Sequence, residues 1–419
     1  MTTGATDQHA AAIVPGVRRI AVLRANAVGD YVLTLPALEA LKSAYPAATL
    51  TLLGKRWHAQ FLDGRPGPVD EVVCLPAVPG LTAPADTPLA TGDSGDSGDE
   101  ELGDFLAQMR QRQFDLALQL HGGGQYSNPL VRALGARVTA GFRAPGASAL
   151  DRNFPYLVPD IDLHPRALLL HECVGLVGAR AASVEPRLSL RERDHAQLSR
   201  ALPALHRIAE RLVVLQPGAT DPRRRWHAEG FAEVGDALAE QGAVVAINGD
   251  PAEAELVHRV AAAMRHRAVA LPGTLSLGAL CGLLARACLV VSNDTGPAHL
   301  ARALGIPTVT LYWIGNLPSY GPLSARWHRV AVSYRIHCPV CGARVFDRHC
   351  GHGASLLDEI AADAVVELAL AAYRASVERE NDRVRGADPL TPRGPGSARL
   401  HSSTAPAVCH PASPGSRST

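Results

Sequence analysis

Apolar residues along the first half of the chain fall into short runs separated by stretches of helical spacing. Arg19-Ile20-Ala21-Val22-Leu23-Arg24 is followed by a glycine-containing turn and then by Val32, Leu35, Leu38 and Leu41 on one helical face, which predicts a strand, a loop and a helix. Further strand-like runs lie at Thr49 to Leu53, Glu71 to Leu75, Phe114 to Leu120 and Arg137 to Ala140, with helical stretches between most of them. The pattern restarts at Arg211-Leu212-Val213-Val214-Leu215 and repeats at Ala243 to Ile247, Ala268 to Leu271, Leu289 to Val291 and Thr308 to Leu311. Helical spacing fills Phe231 to Glu240 and Glu253 to His266. Alternating strands and helices are what parallel sheets require. Two such sets, separated near Pro186 to Leu205, predict an α/β chain of two doubly wound, Rossmann-like domains facing across a cleft, at 17–190 and 195–378. Ligands in such folds sit at the carboxyl ends of strands.

Other stretches carry no such pattern. Residues 79–104, rich in Pro, Gly, Ser, Thr and acid, read as a flexible insertion, and residues 1–16 and 379–419 read as disordered ends. A length of 419 residues with 47% hydrophobic content is enough for two cores. The 41 basic and 40 acidic side chains nearly cancel, so no field points to nucleic acid as a partner. No run approaches the roughly 18 to 20 apolar residues that span a bilayer, and Met1 to Val14 lacks the basic region of a signal peptide, so a cytoplasmic protein with at most peripheral membrane contact is expected. The eight cysteines are too sparse for a disulfide scaffold, and Cys281 and Cys288 sit in apolar runs as buried thiols.

The chemistry concentrates after strands. Leu289 to Val291 leads into Ser292-Asn293-Asp294-Thr295-Gly296-Pro297-Ala298-His299, where Pro297 suits a first helical turn and Gly296 allows close backbone approach. Free N–H groups and the positive helix end make this a place for a phosphate, with Thr295 adding a hydroxyl; an ordinary Asn-Asp turn capping a structural helix is the alternative. Gln216-Pro217-Gly218-Ala219-Thr220-Asp221-Pro222-Arg223-Arg224-Arg225-Trp226 also comes after a strand. Its guanidinium groups match phosphate oxygens, although arginine runs are more often solvated surface. Asp30, in the first strand-to-helix turn, is either a helix cap or a carboxylate at the cleft able to take a proton.

Several alternatives lack their motifs. His121-Gly122-Gly123-Gly124 is similar to an esterase oxyanion loop, but no G-x-S-x-G accompanies it, so its glycines are expected to shape an acceptor pocket. The chain has no phosphate-binding G-x-x-x-x-G-K-[ST] and no proper dinucleotide G-x-G-x-x-G. Asp160-Ile161-Asp162 offers a paired-acid signature of metal-dependent transferases that its place in the chain does not support. Cys338-Pro339-Val340-Cys341, succeeded after eight residues by Cys350-Gly351-His352, has spacing that can close a tetrahedral structural zinc site; free reduced thiols are the other reading.

The segment from Asp294 to Ala301, continued by Ala303-Leu304-Gly305-Ile306-Pro307-Thr308-Val309, resembles the most characteristic motif of glycosyltransferase family 9, the heptosyltransferase-like enzymes. The resemblance runs from about Arg18 to Tyr373 and implies a GT-B fold, with the acceptor on the first domain and a nucleoside diphosphate sugar on the second. It implies that Asp294, Thr295, Gly296 and His299 hold the donor diphosphate. Arg224 stands where the family has a lysine, with Thr220 beside it and Arg225 as a substitute; His227 replaces a common proline. Asn248-Gly249-Asp250-Pro251-Ala252-Glu253 resembles the loop near the nucleoside, with Asp250 or Glu253 toward the ribose hydroxyls. Arg24 to Leu38 resembles the opening motif, in which the acid after Gly29, Asp30, is the general base. The implied reaction is inverting transfer of a sugar, heptose among the candidates, to a hydroxyl of a glycan or glycolipid, with no required cofactor. A sugar-nucleotide epimerase or hydrolase of the same architecture and a non-catalytic sugar-nucleotide binder remain alternatives.

Overall fold

The computed structural model describes residues 12–84, 97–156, 163–203, 211–346 and 350–384. Asp160 to Asp162 and Cys409 lie outside them. Two six-stranded sheets, parallel throughout, form the framework. The first runs β3-β2-β1-β4-β5-β6, from β1 (Arg19–Leu23), β2 (Thr49–Gly54), β3 (Glu71–Cys74), β4 (Leu116–Gln119), β5 (Val138–Arg143) and β6 (Arg152–Pro155). The second runs β12-β11-β10-β7-β8-β9, from β7 (Leu212–Gln216), β8 (Val244–Gly249), β9 (Val269–Pro272), β10 (Ala287–Asn293), β11 (Thr308–Trp313) and β12 (His328–Ser333).

The two orders share one consequence. In each sheet the chain winds outward from its first strand, then returns to that strand's other side, so the reversal falls between β1 and β4 and between β7 and β10. Ligands bind in the crevice outside strand carboxyl ends at such a reversal. Of the loops singled out in the sequence, those after β1, β4, β7 and β10 lie at these reversals, and Asn248 to Glu253 follows the neighbouring β8.

Central strands are buried on both faces and therefore appear in the sequence as continuous apolar runs. Strands β6 and β12 were not predicted: they are sheet edges with partly exposed, mixed patterns, which leave no such run. The helix Ser97–Gln111 starts inside the predicted insertion, and Ala362–Val384 continues past residue 379, where no structure was expected. Val14, assigned to a disordered start, is 4% exposed and donates its N–H to the Tyr45 hydroxyl.

The helix Val28–Ala44 is buried nearly all round, because it packs on its own sheet, on the helix Arg166–Gly175 and on Gly296–Ala303 of the second half. One apolar cluster accordingly spans both halves, joining Tyr31, Leu35 and Leu38 to Leu280, Leu284 and Leu300. A buried ionic link adds direction to this contact: Arg65 from the first half and Arg191 both donate to Asp194. These guanidinium groups hold the Asp194 carboxyl below its usual value against the upward push of burial. Cys281 and Cys288 are buried, as their apolar runs imply.

Candidate active site

The two halves meet around a cleft of about 560 Å³. Its lining includes Gly29 and Asp30 from the first half and Thr220, Arg224, Asp250, Asp294, Thr295, Gly296 and His299 from the second. Of the residues expected to act there, Arg225 does not line the cleft.

On the first wall, Asp30 lies in the first turn of the helix Val28–Ala44. Arg24, 4% exposed, donates to Asp30 Oδ1 at 3.0 Å and to the Leu120 carbonyl at 2.5 Å, so one guanidinium ties the β1 turn to the β4 loop. Asp30 Oδ2 accepts no hydrogen bond from the described residues, and the side chain is 27% exposed. The β4 loop is shaped from beneath by Gln119, which donates to the carbonyls of His121 and Gly122 at 2.8 and 3.0 Å. Gly122 and Gly124 have φ of +64° and +94°, the left-handed region that glycine enters at little cost. His121 Nδ1 accepts the Ala25 N–H at 3.1 Å. Burial, reinforced by Arg24, pushes the His121 pKa down to about 4.

On the second wall, Thr295 precedes the helix Gly296–Ala303 in extended conformation, and Thr295, Gly296 and Pro297 bring the start of that helix to the cleft. The three consecutive arginines have divided their work. Arg223 pairs with Asp221 at 2.7 Å, Arg225 Nε donates to the Ala219 carbonyl at 2.7 Å, and Arg224 reaches across to Asp294 Oδ2 at 3.4 Å while remaining 31% exposed. Asn293 locks the two loops together: its amide donates to the Pro217 carbonyl at 2.7 Å, and its oxygen accepts from the Trp226 N–H at 3.3 Å.

Asp294 and His299 are engaged by the protein itself. Oδ2 of Asp294 takes Arg224 and the Asn316 amide, while His299 Nε2 stands 3.3 Å from Oδ1 without hydrogen-bond alignment. Arg302 donates to His299 Nδ1 and to the Tyr320 carbonyl. Burial alone would raise the Asp294 pKa, but His299, Arg224 and Arg302 together bring it below the usual carboxylate value; burial and then Arg302 lower that of His299. Asp250 and Glu253 cap one another, Asp250 Oδ1 accepting the Glu253 N–H at 2.9 Å and Glu253 Oε2 the Asp250 N–H at 3.1 Å. Asp250 is exposed to the cleft, whereas Glu253 is buried against Gly218.

The walls touch at two glycines. A Cβ on Gly29 would stand 2.8 Å from His299 Cδ2, and one on Gly296 would stand 3.4 Å from Val28 Cβ. Arg24, Asn316 and Arg302 were missed as site residues by sequence reasoning. Arg302 carried a signal, three positions after His299 on the same helix face; Asn316 arrives from the loop after β11 with none.

The family described as "Glycosyltransferase family 9 (heptosyltransferase)" matches residues 103–341. The lipopolysaccharide core heptosyltransferase OpsX of Haemophilus influenzae is 23% identical over 309 residues, covering 71% of this chain and 80% of that one. A family 9 glycosyl transferase from Veillonella parvula superposes with a TM-score of 0.67 at 22% identity, covering 85% of this chain and 97% of that one. The ADP-heptose lps heptosyltransferase II of E. coli gives a TM-score of 0.63 at 20% identity, covering 86% and 99%. With the family match spanning more than half its length and the paired parallel sheets of the fold, this chain belongs to glycosyltransferase family 9 and is a glycosyltransferase.

Proposed function

We propose that this enzyme transfers heptose from ADP-heptose to a hydroxyl of a lipopolysaccharide core glycan, inverting the anomeric carbon. The observation that carries the reading is the pairing of opposite chemistries across one cleft: Asp30 on one wall, and Arg224 with the helix end at Thr295-Gly296 on the other. The acceptor oxygen forms a bond to the anomeric carbon as the bond to the diphosphate oxygen breaks; Asp30 takes the acceptor proton, and the departing electron pair stays with ADP. Arg224 and the helix N–H groups meet the charge that develops on the diphosphate, so the step calls for no cofactor. ADP-heptose is the donor named for the E. coli enzyme of similar fold, and the OpsX relative is named for the lipopolysaccharide core.

Within this reading Asp294 and His299 position Arg224 and the turn, and Thr220 and Asp250 face the donor from the β7 and β8 loops. Arg225 holds the β7 loop through the Ala219 carbonyl. The two sheets correspond to an acceptor domain at 17–190 and a donor domain at 195–378. Cys338, Cys341, Cys350 and His352 form a structural metal site outside the cleft. The enzyme acts in the cytoplasm at the inner membrane face; no helix among the described residues is long and apolar enough to cross a membrane.

A thermal-shift screen against ADP-, GDP-, UDP- and dTDP-sugars, then turnover with and without a core glycan acceptor, tests this. Selective stabilisation by the ADP sugar and strictly acceptor-dependent product are expected. Product without acceptor would assign an epimerase or hydrolase, and donor binding with no turnover on any acceptor would assign a binding protein.

A further inference from the structure

Outside the cleft, three cysteines and a histidine from two irregular segments converge. One ligand atom each from Cys338, Cys341, Cys350 and His352 lies within 4.8 Å of the others. The first pair sits on a tight turn: Cys338 N–H donates to the Ala343 carbonyl at 2.8 Å, Gly342 N–H donates to the Cys338 carbonyl at 2.9 Å, and Gly342 adopts φ +71°. A tetrahedron built from zinc–sulfur bonds of about 2.3 Å and zinc–nitrogen bonds of about 2.0–2.1 Å has a sulfur–nitrogen edge of about 3.6 Å. Cys338 Sγ and His352 Nδ1 are 3.6 Å apart.

The segment that carries Cys350 and His352 also connects this cluster to the chemistry. Between β12 and the helix Ala362–Val384 the described residues contain no helix or strand, so residues 350–357 lack the ladder that fixes the rest of the half. Those residues nevertheless run along the back of the arginine turn. Leu356 N–H donates to the Arg223 carbonyl at 2.8 Å, Ser355 Oγ donates to the Arg225 carbonyl at 2.6 Å, and a Cβ on Gly353 would stand 3.5 Å from Pro222 Cγ. The residue between the two gripped carbonyls is Arg224.

We propose that Cys338, Cys341, Cys350 and His352 bind one zinc ion, and that this ion fixes residues 350–357 against the Pro222–Arg225 turn so that Arg224 is held ready for the donor diphosphate. The second clause rests on the reading of Arg224 as a diphosphate ligand. A closed set of three sulfurs and one nitrogen suits zinc and leaves no open position for substrate, so the ion acts by positioning.

Two measurements test this on the full chain. Elemental analysis of protein purified from medium containing both zinc and iron should find one zinc per chain; no metal, or iron in its place, overturns the site. Calorimetry with ADP should then show Cys341→Ser binding about tenfold more weakly than wild type while circular dichroism and a cooperative melt are retained. His352→Asn serves in its place if the serine variant does not fold. Arg224→Ala should weaken ADP binding as well, and the double variant should lose less than the product of the two single losses. Normal ADP affinity in a zinc-free ligand variant, with Arg224→Ala impaired, overturns the positioning role and leaves the diphosphate reading standing. Normal affinity in Arg224→Ala removes that reading, and the positioning role with it.

Discussion

The turns after β1 and β10 each flank the reversal point of their sheet, each carries an aspartate at the mouth of a helix, and the two carboxylates have opposite fates. Asp30 is 27% exposed, is held through Oδ1 by Arg24 and lines the cleft. Asp294 is 3% exposed and surrounded by Arg224, Asn316 and His299. A carboxylate buried among protein donors organises its neighbours; one left partly exposed at the cleft can exchange a proton. Both turns open at a reversal point, and the surrounding side chains decide which aspartate is left able to act as a base.

The widest separation between the turns should come from substituting the two acids. Asp30→Asn keeps an oxygen for Arg24, so the melting temperature should move little while kcat falls by about 100- to 10,000-fold, the range for loss of a general base, with ADP affinity retained. Full turnover in this variant would remove Asp30 from the reaction. Asp294→Ala should do the reverse in order of severity, destabilising the fold by about 1–3 kcal/mol because it leaves Arg224 and the buried Asn316 amide without their acceptor; chemical denaturation reads this directly. A melt like that of wild type would show that Asp294 is not the organising group.

Arg224→Ala removes the one arginine of its run that faces the cleft, and loss of a charged hydrogen bond of about 1.5–3 kcal/mol corresponds to roughly 10- to 150-fold weaker ADP binding. Arg225→Ala, with its guanidinium spent on the Ala219 carbonyl, should lose less; equal losses would erase the distinction between the two arginines. Gly29→Ala drives a methyl into His299, whose ring is buried and engaged by Arg302 and Asp294, so about 1–3 kcal/mol of strain should appear in stability and a several-fold loss in kcat. Unchanged kinetics and stability would mean that the walls need not touch there.

The smallest effect concerns acid. His121, on the Asp30 side, has its pKa pushed down to about 4, so the unfolded chain takes up a proton before the folded one does. Its share of stability is complete above about pH 6.5, the unperturbed histidine value, and declines as pH falls through 6.5 toward 4. His121→Asn should therefore flatten the dependence of melting temperature on pH in that window. A slope identical to wild type would show that His299 or other groups carry the acid sensitivity.

Much of the fold was written locally. Continuous apolar runs marked the inner strands because both faces of a parallel sheet are covered, and Pro297 with Gly296 marked a helix start fit for phosphate because backbone conformation is a short-range property. The edge strands β6 and β12 escaped notice for the converse reason, since half-exposed strands carry mixed patterns. The arginine run was legible as a candidate phosphate ligand, but its division of labour was not: Arg223, Arg224 and Arg225 differ only in which partner the fold brings within reach.

The sequence by itself determined two strand-and-helix windings, the turns at their reversal points and the residue types those turns present, because strand burial, helix starts and glycine conformations depend on neighbours within a few positions. The tertiary structure decided that Asp30 stays partly exposed at the cleft while Asp294 is buried, that Asn316 and Arg302 engage Asp294 and His299, and that the Cys338 to His352 cluster backs onto the arginine turn. Each of these depends on contacts between distant segments, and the packing of the two sheets, with no periodicity along the chain to announce it, sets which charges meet.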